Sequence, residues 1–155
     1  MRIGILCAIP EELRHFSPSS LPAGRLGGRD YFRGKHGSHE LTLVESGIGK
    51  VNSAVASTIL IQHFNCELLI FSGVAGGLDP SLKIGDLVIA DELWQHDYGT
   101  IIDQELIAHR AGTLPMGLPK ENPPFRLDEE LKARIQQAHP DAYFGRILSG
   151  DTFLN

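Results

Sequence analysis

Apolar residues along the chain cluster in short runs, each closed by a glycine- or proline-bearing turn, with helical spacing between some of them. Ile3 to Ala8 is such a run and reads as a buried strand. Pro10, Glu11 and Glu12 follow at once. A proline suits the first helical turn, where its missing N–H has no partner to lose, and acidic residues suit the positive end of a helix. Residues 31–35 and 40–44 flank His36-Gly37-Ser38-His39 and predict a β-hairpin. Val51, Ala54, Val55, Thr58, Ile59 and Gln62 share one mostly apolar face at helical spacing, which predicts a helix. Leu68 to Phe71 is continuously apolar, as a central strand is. Asp86 to Ala90 predicts a further strand, Leu127 to Ala138 a helix, and Tyr143 to Leu148 a last strand. Between about Trp94 and Phe125 periodicity fades, and the stretch reads as a long functional loop or lid.

Strands alternating with helices predict an α/β fold around one mixed sheet, with ligands beyond the carboxyl ends of the strands. The last strand runs into Ser149-Gly150-Asp151 with no helix after it. Two readings stay open: a chain cut in mid-fold, with apolar surface left for a dimer or aggregate to cover, or a strand that is simply terminal.

Composition narrows the partners. The 155 residues carry a formal net charge of -5 and no basic stripe, which argues against a nucleic-acid partner. No apolar run approaches the roughly 20 residues that span a membrane, and no signal segment opens the chain. Cys7 and Cys66 stand far apart in apolar stretches and read as buried free thiols of a cytoplasmic protein. The seven histidines show no metal-ligand spacing, so no metal or cofactor is expected.

The candidate chemistry lies in the turns. Ser72-Gly73-Val74-Ala75-Gly76-Gly77 follows a buried strand and lacks both the Walker and the dinucleotide spacing. It is either a cradle for a ribose, base edge or phosphate, or a tight turn with no ligand. Glu11 and Glu12 are either helix-capping devices or carboxylates that orient a water. In Gln95-His96-Asp97 the His and Asp point to opposite faces of an extended strand, which favours an ordinary loop histidine.

Taken in order, these segments resemble a known family. They are Ile3-Gly4-Ile5, the Ala8–Leu13 junction with Glu12, Ser46-Gly47-Ile48-Gly49-Lys50-Val51-Asn52, and Ser72 to Leu78. Lys83 to Val88, His96-Asp97 and Ser149-Gly150-Asp151-Thr152-Phe153 complete the set. The chain thereby resembles the 5′-methylthioadenosine/S-adenosylhomocysteine nucleosidases of the nucleoside phosphorylase superfamily, from Met1 to Asn155.

The resemblance implies a three-layer sandwich with a central mixed β-sheet, here as a single incomplete domain over residues 1–155. It implies hydrolysis of the bond between adenine and ribose, through an oxocarbenium-like transition state. Glu12 would activate the water, and Ala8 and Ile9 would line the ribose and water pocket. Ile48 would lie beneath the 5′-substituent, Val74, Ala75 and Gly76 beside ribose and base, and Phe153 and Leu154 against the purine. A homodimer is implied, the partner completing the 5′-alkylthio pocket.

Two departures stand out. Val74 takes a place where the family commonly has Ser or Thr, so one hydroxyl is missing from the site. The family's Asp that protonates the purine, and a Glu that grips the ribose, belong to a C-terminal segment, and Asp151 does not match that Asp by position. The 155-residue polypeptide alone is therefore expected to turn over little. A nucleoside phosphorylase, a futalosine-type nucleosidase and a non-catalytic nucleoside-binding domain stay open as alternatives.

Overall fold

A computed structural model describes residues 1–16, 21–116 and 124–153. The chain divides into two compact units, Met1–Gly76 and Gly77–Asn155.

The first unit is built on a five-stranded sheet. Its strands are β1 (Arg2–Cys7), β2 (Pro22–Leu26), β3 (Arg29–His36), β4 (His39–Glu45) and β5 (Leu68–Phe71). Their order is β2-β3-β4-β1-β5. The predicted hairpin is β3–β4, antiparallel from Tyr31↔Val44 to His36↔His39. β1 runs parallel to both β4 and β5, with Ile3↔Leu68 through Leu6↔Phe71 on the β5 side. β2 was not anticipated: Pro22 and Gly24 hide its pattern, and its register with β3 slips between those two residues.

Because alternate strand residues face opposite ways, β1 feeds two cores. Leu6 packs on one face with Tyr31, Val44, Ala56, Leu60, Phe64 and Cys66, beneath helix α2 (Lys50–Gln62). Ile5 and Cys7 pack on the other with Leu43 and Leu13, the last from the short helix α1 (Pro10–Leu13). Gly4 brings α2 close: a Cβ there would lie 2.7 Å from Leu69 Cδ2 and 3.0 Å from Leu60 Cδ1.

The predicted helix is present as α2, and of the face read from spacing Ile59 packs against the core. Ala56 and Leu60 are fully buried, whereas Val51 is 74% exposed and Ala54, Val55 and Thr58 face outward. The helix carries apolar residues around most of its circumference, so spacing alone does not choose the face that meets the sheet. The expectation of a central strand at Leu68–Phe71 is corrected within this unit. β5 is an edge strand of the five-stranded sheet, with Ile70 and Phe71 exposed.

The second unit holds β6 (Val88–Gln95), β7 (Gly99–Ile102), β8 (Glu105–Ala108), β9 (Phe125–Arg126), helix α3 (Glu129–Ala138) and β10 (Tyr143–Ser149). β10 and β6 pair in parallel and β9 joins antiparallel. β6 starts two residues later than predicted. Asp86 belongs to a turn in which its carboxylate accepts from Lys83 N–H at 2.7 Å, and Gly85 takes φ +98°. The region read as an irregular loop contains the β7–β8 hairpin. Its two-residue turn sets Asp103 at φ 50° and Gln104 at φ 71°, a left-handed pair usually signalled by Asn or Gly. Asp128 caps α3, accepting from Leu131 N–H at 3.0 Å. Among the described residues, no helix is long and apolar enough to cross a membrane.

Candidate functional site

The site forms where β1 and β5 end side by side. β1 gives way to Ala8 and Ile9, then α1 opens on Pro10. Glu12 occupies the third helical position and folds back on its own start. Its Oε2 accepts from Ala8 N–H at 2.8 Å and Ile9 N–H at 3.3 Å. This is the half of a capping box that a glutamate supplies. A cap alone would stop there, but Oε1 also accepts from Val74 N–H at 2.9 Å, 62 residues away in the turn after β5.

Parallel pairing sets that reach. The β1–β5 register ends at Leu6↔Phe71, and Ser72 N–H continues it by donating to Leu6 C=O at 2.9 Å. Gly73 then passes against the carboxylate. A Cβ at 73 would lie 2.7 Å from Glu12 Oε1 and 2.9 Å from Cδ, so only glycine leaves Glu12 where it is. Gly73 was not singled out from sequence, although its place in the Gly-rich turn was the available signal.

A carboxylate offers about four acceptor positions. Backbone N–H groups fill one on Oε1 and two on Oε2. One position on Oε1 therefore remains for a further donor. Glu12 lines a cleft of about 460 Å³ with Ile9, Glu11, Arg14, His15, Phe16, Ser72, Gly73 and Val74. Behind it lies Cys7, fully buried, its thiol pushed up to about 11 by burial and then by the nearby Glu12 charge. Such a thiol is inert at neutral pH. Cys66 is buried and free as well.

Thus Ala8, Ile9, Glu12 and Val74 come together. Ala75 and Gly76 continue the same turn and are exposed. Ile48 stands 59% exposed between Gly47 and Gly49, outside the residues lining the cleft. Phe153 belongs to the second unit and is 80% exposed, and Leu154 lies outside the described residues. In that unit, His96 N–H donates to Ser149 C=O at 3.0 Å, and its ring fills the space a side chain at Gly150 would need. Asp97 accepts from Asp151 N–H at 2.7 Å. Among the described residues, no group of three or more His, Cys, Asp or Glu could hold a metal ion.

The Glu12 carboxylate is thus held by two amides of its own strand end and one from the turn after β5, at the edge of a cleft. The chain belongs to the phosphorylase superfamily, whose family model matches residues 2–155. Within that superfamily it is similar to 5′-methylthioadenosine/S-adenosylhomocysteine nucleosidases. It is 34% identical to the one from Mycobacterium bovis, over 99% of this chain and 68% of the relative. The crystal structure of S-adenosylhomocysteine nucleosidase from Streptococcus pyogenes, in complex with 5-methylthiotubericidin, matches with TM-score 0.81 and 33% identity. That match covers 99% of this chain and 64% of the other. Futalosine hydrolase of Helicobacter pylori matches with TM-score 0.79 and 31% identity, over 100% of this chain and 68% of the other. The chain thus spans about two thirds of the length of these relatives. The mixed-sheet α/β architecture expected from sequence is that of these structures.

Proposed function

We propose that this chain carries the water-activating part of a purine-nucleoside N-ribosidase, which hydrolyses 5′-methylthioadenosine and S-adenosylhomocysteine and releases adenine. One observation carries the reading: the hydrogen bond from Val74 N–H to Glu12 Oε1, which joins two strand ends around a single carboxylate.

The vacant acceptor position of Glu12 takes an O–H of water and draws off its proton as the oxygen closes on the anomeric carbon. The C1′–O bond forms, the C1′–N9 bond breaks, and the electron pair of the broken bond goes to the base, whose proton comes from the Asp that the nucleosidase resemblance places outside these residues. Three fixed N–H donors hold the carboxylate, so its aim costs no reordering during the reaction. Val74, Ala75 and Gly76 lie beside ribose and base, and Ile48 beneath the 5′-substituent. No cofactor takes part. The enzyme works in the cytoplasm as a homodimer, and the outward apolar stripe of α2, with Val51 74% and Val55 38% exposed, supports an interface there.

The test is Glu12→Gln in the complete gene product, with adenine release followed with and without phosphate. The carboxamide keeps the shape and loses the base, so kcat should fall by about 10² to 10⁴ while the fold is retained. A variant that keeps the full rate removes Glu12 from the mechanism, and a phosphate-dependent rate assigns the chain to the phosphorylases instead. The likeness to futalosine hydrolase favours one second reading, a nucleosidase for a different 5′-substituted purine nucleoside. Rates on a panel of such nucleosides separate the two.

A further inference from the structure

We propose that Arg29, acting through Asn52, is a positioning residue that fixes the turn holding Ile48 and thereby sets which 5′-substituent the nucleoside site accepts; this rests on the nucleosidase reading above. The ends of the turn have local bonds, Ser46 Oγ donating to Gly47 C=O at 3.0 Å and Ser53 N–H to Gly49 C=O at 3.1 Å, but its middle does not. Gly47 and Gly49 flank Ile48 at φ +79° and +100°, a backbone region glycine enters and leaves freely. Nor does packing hold Ile48, since its side chain is 59% exposed. Hydrogen bonds from outside the turn must hold it.

They converge on one guanidinium. Arg29 opens β3, yet its Nε donates to Ser46 C=O at 2.7 Å, 17 residues on. One terminal nitrogen donates to Gly27 C=O at 2.8 Å, and the other to Asn52 Oδ1. Asn52 then donates its Nδ2 to Ile48 C=O at 2.6 Å. Ser46 is tied in turn to the site: its N–H and Oγ both donate to Cys7 C=O, at 2.8 and 3.2 Å. Cys7 directly precedes Ala8 and Ile9, the donors to Glu12.

Arg29 thus makes three charge-assisted bonds to neutral oxygens, aimed in the fork geometry that only arginine supplies. Fully buried Ser46 anchors the near end of the turn, and Asn52 anchors Ile48 at its middle. The same chain of bonds therefore fixes Ile48 relative to the seat of the attacking water.

The test compares Arg29→Ala, Arg29→Lys and Asn52→Ala in the complete gene product. Affinities for 5′-methylthioadenosine and for adenosine, which differ only at the 5′ position, are measured in a Glu12→Gln background that prevents turnover. Amide exchange over residues 47–50 is followed in parallel. Arg29→Ala and Asn52→Ala should each speed that exchange and weaken 5′-methylthioadenosine about tenfold, with adenosine changed less than about twofold and the Lys variant in between. Equal weakening of both nucleosides, or unchanged exchange, overturns the proposal. Faster exchange with unaltered affinities overturns its specificity part. A protein with Arg29 intact that binds neither nucleoside sinks the nucleosidase reading instead, and exchange still decides whether Arg29 holds the turn.

Discussion

The two units hold their strands by different means. In Met1–Gly76 both sheet faces are packed, and every buried apolar side chain among the described residues belongs to this unit. Among the described residues of Gly77–Asn155 the buried one is His109, while Leu87, Leu93, Ile101, Phe125 and Tyr143 are all exposed by two-fifths or more. What joins β6, β9 and β10 besides their ladders is charge. Glu92 on β6 takes Arg126 of β9 on one oxygen and Arg146 of β10 on the other, each at 2.7 Å. Lys132 of α3 meets Asp91 of β6, also at 2.7 Å. Hydrophobic burial is not screened by salt, whereas partly exposed ion pairs are. The carboxylate that needs an exact seat lies in the unit with the packed core.

One pair of identical substitutions tests that contrast most strongly. Leu60→Ala empties a fully buried position and should cost about 2–5 kcal/mol in denaturant unfolding. Leu93→Ala, at a half-exposed position in the second unit, should cost less than about 1 kcal/mol. Equal costs would break the comparison. A smaller effect probes the seat rather than the core. Gly73→Ala forces a Cβ against the Glu12 carboxylate and should lower adenine release about 10- to 100-fold, with unfolding shifted by less than about 1 kcal/mol. An unchanged rate would show that Glu12 does not depend on this close approach. The smallest effect belongs to the charged unit. Glu92→Gln should destabilise by about 1 kcal/mol at low ionic strength, and the difference should shrink as salt is added. A loss that persists in molar salt would mean the cluster behaves as a buried one.

Much of this was legible in the chain where one physical rule acts alone. The β1 run, Pro10 at the first helical position and the β3–β4 hairpin follow from burial, φ restriction and alternation, and all three are present. Reading failed where two rules compete or the signal is non-local. α2 is apolar on two sides, and which side is inside depends on Gly4 admitting Leu60, a fact held in another segment. The β7–β8 turn uses Asp103 and Gln104 in place of the glycine or asparagine that marks such turns. Glu12 was visible as a candidate, but its bond to Val74, 62 residues away, is not legible in the sequence. Arg29 gives no signal in the sequence, because its three acceptors are main-chain and amide oxygens that carry no charge pattern.

The donors that seat Glu12 come from the main chain of residues 8, 9 and 74, not from their side chains. Those three positions can consequently change side chain without dismantling the carboxylate's holder. Proline alone is barred there, for want of an N–H. Val74, where the resemblance led to the expectation of Ser or Thr, is a case in point: its N–H donates to Glu12 whatever its side chain.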